Sequence, residues 1–256
     1  MIKRISIILG FVLLLSLMWG CAKTAGPDSS TSDETQAPAE DSSYPVYALK
    51  QYTNLLGRYD LDDYELNDAG QITAYKVYEV KSGKRSASPT SVVITYDNAG
   101  NPVKVRYESY SGYEELMRTF DDKGNVTRET WSSDYSLIDG RDFVYTYIFD
   151  SDGRISEETA TSADASNYIV RTYNYAKDGT VLSYTEKNYE PDGSLHSDWL
   201  IEVECDGNGN ITKQNVIDNE DPSGGWINTF EYDEIGNGSQ MQPPCSRFRY
   251  IYPEWL

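Results

Sequence analysis

The sequence predicts an all-β protein, an antiparallel β-meander of repeated hairpins forming one long twisted, curled sheet behind a disordered N-terminal segment. Three observations carry this. A short motif of an aromatic, an acid and a glycine recurs as YDNAG at 96, FDDKG at 120, FDSDG at 149 and YDEIG at 232, with YAKDG at 175 and CDGNG at 205 as looser copies. Between copies, apolar and polar side chains alternate with the two-residue period of a strand. No stretch longer than ten residues has helical periodicity, although YALKQYTNLL from residue 47 carries the pattern of a short helix.

In chain order, residues 1–20 read as a signal peptide, since MIKR is basic and the 16 nearly apolar residues after it are short for the roughly 20 a spanning helix needs. LMWGC at 17–21 resembles the lipobox of bacterial lipoproteins. That resemblance implies that Cys21 becomes the lipidated mature N-terminus and that the protein sits at an extracytoplasmic membrane face. Residues 22–43 contain no Val, Ile, Leu, Met or aromatic residue and read as a disordered tether. As a flexible coil it would reach about 26 Å. Residues 44–256 form the β domain.

Aligning the copies places turn glycines at Gly70, Gly100, Gly124, Gly153, Gly179, Gly209 and Gly236, with Gly193 as an extra member. An aspartate that accepts from backbone N–H groups ahead of it, followed by a left-handed glycine, closes a hairpin loop with a bulge. This register sets the residue four before each glycine opposite the residue two after it: Leu66 with Ile72, Phe120 with Val126, Phe149 with Ile155, Tyr175 with Val181, Tyr189 with Leu195 and Cys205 with Ile211. Pro102, which lacks a donor, predicts that its strand starts one residue late. Alternation puts Tyr145, Tyr147 and Phe149 on one face, with Ile169, Arg171, Tyr173 and Tyr175, and with Trp199, Ile201, Val203 and Cys205. Phe143, Ile169, Trp199 and Trp226, each ten residues before a glycine, should stack at the far end of the sheet. Glu202, Glu204, Thr146 and Asn174 fall on the solvated face.

YDNAGN, FDDKGN and YDEIGN resemble the YD repeat of the RHS family, bacterial cell-surface and toxin-carrier proteins. The resemblance spans roughly residues 57–237 and implies an extracytoplasmic β scaffold, sometimes with carbohydrate affinity. The spacing is longer than that family's usual unit, and the hairpins are too few for a large enclosing shell.

Residues 44–256 hold 19 basic and 36 acidic groups, which repels phosphate backbones and excludes nucleic acid as an expected partner. The expected partners are a membrane, through the lipid anchor, and a glycan or surface protein. Tyr145, Tyr147, Tyr173, Tyr184, Trp199 and Trp226 are candidates to stack on such a ligand, or else they form the core of the sheet itself. Cys205 and Cys245 are a candidate disulfide, the alternative being that Cys205 is a small buried side chain. No cofactor and no metal are expected. His196 is the only histidine, and the acidic loops at 150 and 205 lack the further ligands and helices of a calcium hand. These readings lead to a non-enzymatic, lipid-anchored binding or adhesion scaffold. A hydrolase with paired carboxylates on a concave face is the alternative, and strand addition to a partner at an open sheet edge is a third.

Overall fold

A computed structural model describes residues 44–134 and 139–238. The signal segment, Cys21 and the tether lie outside the described residues. The strands are β1 (Tyr44–Asn54), β2 (Gly57–Leu66), β3 (Ile72–Lys81), the two-residue β4 (Lys84–Arg85), β5 (Thr90–Tyr96), β6 (Pro102–Ser109), β7 (Gly112–Phe120) and β8 (Val126–Ser133). They continue as β9 (Asp142–Phe149), β10 (Ile155–Ser162), β11 (Tyr168–Tyr175), β12 (Val181–Tyr189), β13 (Leu195–Cys205), β14 (Ile211–Asp218) and β15 (Trp226–Gly238).

The sheet closes on itself, which corrects the open, curled sheet expected from the sequence. From β5 to β15 each strand pairs with the next. β15 then pairs with β1, β1 with β2, β2 with β3, and β3 with β5, while β4 only flanks β3. The ring is a 14-strand antiparallel barrel. A meander of this length has two long edges of unpaired N–H and C=O groups, and joining them removes both. The closing ladder runs from Tyr44 opposite Gly238 to Thr53 opposite Thr229.

Tight turns at 67–71, 97–101, 121–125, 150–154, 176–180 and 206–210 all lie at one end of the barrel, the turn end. Connections at the other, the loop end, vary from the two-residue turns at 55–56 and 110–111 through the tight turn at 190–194 to the longer loop at 219–225. Because β1 begins and β15 finishes at the turn end, the chain enters and leaves there. Gly70, Gly100, Gly124, Gly153, Gly179 and Gly209 all have positive φ, and all six expected cross-strand pairs are present. Gly236 is a correction. It lies within β15 opposite Val46, beside a bulge, and no hairpin turns there. Two smaller expectations also change: YALKQYTNLL is mostly strand β1, and Pro102 is itself the first residue of β6, opposite Tyr96.

Inward residues are largely aliphatic and aromatic. Tyr52, Tyr59, Ile72, Val92, Leu116, Ile201 and Ile211 are buried in one cluster that runs from β1 to β8 and from β12 to β15. Burying one such aliphatic side chain stabilises by roughly 1.5–3 kcal/mol. The lumen is packed across as well as along the wall. Burial raises the Tyr52 hydroxyl well above the ordinary tyrosine range, and Tyr107 of β6, four strands round the ring, adds to the effect. A smaller cluster holds Phe143, Ala160 and Ile169.

Candidate functional site

The repeated turns are self-contained. Asp97 Oδ1 accepts from the backbone N–H groups of Ala99 (2.9 Å) and Asn101 (2.7 Å), while Asn101 Nδ2 donates to Asp97 Oδ2 at 2.7 Å. Asp121 with Asn125 and Asp206 with Asn210 repeat the pattern, and Arg154 replaces the asparagine at Asp150. The backbone N–H of Arg154, and then its guanidinium, hold the Asp150 carboxyl below the usual carboxylate range. These carboxylates therefore face their own loops. Among the described residues, no group of three His, Cys, Asp or Glu side chains could hold a metal ion.

The tyrosine of the repeat has a second role that sequence reasoning missed. Tyr96 donates its hydroxyl to the carbonyl of Ile72 at 2.9 Å, and Tyr175 donates to Ile155 at 2.8 Å. Each donor stands four residues before its own turn glycine, and each acceptor stands two residues after the glycine of the preceding turn at that end. Where Phe149 occupies the donor position, Tyr147 takes over and donates to Val126 at 2.7 Å. The hydroxyl thus fastens one hairpin to the one before it. A preference for tyrosine over phenylalanine, 22 against 6 in this chain, is the signal that could have shown it.

The interior also holds charge. Glu158, Arg171 and Glu186 stand opposite one another on β10, β11 and β12. Arg171 Nη1 donates to Glu158 Oε1 at 2.7 Å and its Nε to Glu186 Oε2 at 2.6 Å, and all three residues are buried. Burial works against the charge on Arg171, yet Glu186 and Glu158 outweigh it and raise its pKa. The same row continues to Tyr147 on one side and Trp199 on the other. A second buried pair joins Arg118 Nε to Glu129 Oε2 at 3.0 Å, and Trp131 Nε1 donates to Glu129 Oε1 at 3.0 Å.

Each carboxylate that accepts from these arginines is held by a fixed cation, an arrangement that ties neighbouring strands together. Glu114 differs. It is buried opposite Tyr107, its Oε2 has no hydrogen-bond partner among the described residues, and burial pushes its pKa up to about 7. His196 is exposed at the loop end, with Nδ1 2.9 Å from Glu190.

The aromatic residues singled out from the sequence all point into the barrel. Tyr184 is fully buried, Tyr173 packs on it with ring centres 5.6 Å apart, and Tyr145 joins the smaller core cluster. Trp199 and Trp226 meet edge to face at 5.2 Å near the loop end, half-buried against the core. The binding or adhesion scaffold is therefore corrected, because closure turns its expected contact face inward and removes the open edge. The hydrolase alternative goes with it, since the concave face is filled. Cys205 is disulfide-bonded and half-buried at the turn end of β13, whereas Cys21 and Cys245 lie outside the described residues.

The outer wall carries charged residues among exposed apolar ones. Lys76 and Arg106 stand mid-strand, and Lys104, Arg128, Lys187 and Lys213 also face outward. The pairs Lys76–Asp63 (2.7 Å), Lys104–Glu115 (2.8 Å), Lys187–Asp198 (3.2 Å) and Lys213–Glu204 (2.6 Å) lie on the surface. Glu202, Glu204, Thr146 and Asn174 are exposed.

No protein-family model matches the chain. No curated protein matches it either. Among solved structures it is similar to a porin-like protein from Bacteroides uniformis, at 13% identity and a TM-score of 0.38, over 73% of this chain and 96% of that one. A porin-like protein from Bacteroides vulgatus matches at 14% identity and a TM-score of 0.40, over 73% of this chain and 99% of that one. The TcdB2-TccC3-TEV structure matches at 10% identity and a TM-score of 0.26, over 70% of this chain and 12% of that one. Likenesses at these scores transfer no function. No family model supports the YD-repeat, RHS-like resemblance.

Proposed function

We propose that this chain is an extracytoplasmic, non-conducting β-barrel of the bacterial envelope that works outside the bilayer. In this reading it is held at the membrane surface by acylation of Cys21. The observation that carries the reading is the distribution of polarity across the wall. A barrel that spans lipid needs an outward apolar band about 25 Å tall round a polar lumen, and Arg or Lys at mid-bilayer costs about 2–4 kcal/mol each. Here the order is reversed, with tyrosine and aliphatic side chains inside and Lys76, Arg106 and their neighbours outside.

A second reading, insertion of the wall itself as in a porin, has one observation in its favour. Val93, Met117, Val144, Ile148, Leu182 and Ile227 are exposed large apolar residues on outward positions. They alternate along the wall with Thr146, Arg128 and Lys187, which interrupts a continuous band.

Vesicle flotation and planar-bilayer recordings on the acylated chain and on Cys21→Ser separate the two. The acylated protein is expected to float with vesicles, Cys21→Ser to stay in the aqueous fraction, and neither to open conductance steps. Discrete conductance steps, or Cys21→Ser resisting carbonate extraction, would overturn the proposal in favour of insertion.

A further inference from the structure

The residue just before a turn glycine is held to a different degree in different turns. Asp178 Oδ1 accepts from the backbone N–H of Thr180 at 3.0 Å, and Asp152 Oδ2 pairs with Arg154 Nη2 at 2.8 Å. At the loop end, Asp192 Oδ1 accepts from the backbone N–H of Ser194 at 2.9 Å and from its hydroxyl at 2.6 Å. Asn208 is held differently. In its turn Asp206 already supplies the acceptors: Oδ1 takes the backbone N–H groups of Asn208 (2.9 Å) and Asn210 (2.8 Å), and Oδ2 takes Asn210 Nδ2 (3.0 Å). The Asn208 side chain is left exposed, with no hydrogen-bond partner among the described residues.

We propose that Asn208 is a site of spontaneous deamidation in the folded protein. The backbone nitrogen of Gly209, having given its proton to hydroxide, attacks Asn208 Cγ. The new N–Cγ bond closes a five-membered succinimide ring, the Cγ–Nδ2 bond breaks, and ammonia leaves with a proton taken from water. Water then opens the ring at either carbonyl, giving aspartate or isoaspartate. A following glycine favours the attack because it has no Cβ to crowd the approach.

The sequence holds two Asn–Gly pairs, at 208–209 and 237–238. Asn237 and Gly238 stand opposite Pro45 and Tyr44 in the β1–β15 ladder, and that pairing resists the main-chain rotation ring closure needs. At 208 a single restraint acts on the nucleophile: the Gly209 N–H donates to the Asp206 carbonyl at 3.1 Å, and this bond must open first. Turns at a barrel rim open locally at far less cost than the whole fold. The reaction is therefore slower than in a free peptide, yet it needs no global unfolding.

The isoaspartate product lengthens the main chain by one methylene between residues 208 and 209, and either product adds a negative charge beside the Asp206 carboxylate. Both changes bear on the hydrogen bonds that hold Cys205 opposite Ile211.

Full-length protein aged in mildly alkaline buffer, folded and in denaturant, is mapped by peptide mass spectrometry with an isoaspartate-specific assay. In the folded sample the peptide holding Asn208 should gain the mass of one amide-to-acid exchange, ahead of Asn237 and of every other asparagine, with isoaspartate the larger product. Asn208→Gln should lose that change. Conversion seen only in denaturant, or slower at Asn208 than at another asparagine of the folded chain, would overturn the proposal. Should Asn208→Gln fail to fold, the comparison of asparagines within the unmodified protein decides it.

Discussion

Glu114 is the residue at which the packed interior and proton binding are most directly coupled. Its carboxyl is buried with one oxygen unpartnered, and burial raises its pKa to about 7. An unfolded glutamate titrates near 4.3, so between these values the folded state holds a proton that the unfolded state has lost. Stability from this group is complete below about pH 4.3 and declines as pH rises through about 7, by roughly 3–4 kcal/mol in all. Urea midpoints from pH 4.5 to 8 are expected to show this decline in the unmodified protein and a flatter profile in Glu114→Gln. An unchanged slope in the variant would assign the decline elsewhere. At this scale the sequence was partly legible. Alternation puts Arg171 on the aromatic face, where it lies, but its partners Glu158 and Glu186 look like any surface acid until strand parity and closure turn them inward.

At the scale of elements, hairpins were the most legible feature, because a turn is written in a few adjacent residues. The aspartate, the left-handed glycine and the register they impose are local, and Gly179 shows the cost in isolation. Its φ is +91, and a Cβ added there would meet nothing within 4 Å. Gly179→Ala should therefore destabilise through backbone strain alone, by about 1–2 kcal/mol, read as a lowered denaturant midpoint with unchanged m-value. A loss below a few tenths would mean that the turn does not need its left-handed residue. Gly236 failed as a turn for an instructive reason. YDEIGNG has the motif, but the strand that would fold back is replaced by β1, supplied from the other end of the domain.

For the molecule as a whole, closure could not be read from the sequence because it depends on residues almost two hundred positions apart. Tyr44 meets Gly238, and nothing in either segment announces the other. Hairpins form over short separations, while this ladder must wait for its distant halves, so it should form late in folding. Val46, buried at that seam, tests the order. Val46→Ala should speed unfolding while leaving the folding rate nearly unchanged in stopped-flow experiments. A matching drop in folding rate would place the seam in the nucleus instead.

The tyrosine fastening has a consequence for how such a ring could grow. The hairpins that carry Tyr96, Tyr147 and Tyr175 each offer a hydroxyl on one flank, and the hairpins before them present a carbonyl to it, like a tongue and a groove. A duplicated copy of a hairpin with such a tyrosine would bring its own hydroxyl to the carbonyl of the hairpin before it. Circumference could then change by whole hairpins, two strands at a time, with the remaining joints intact.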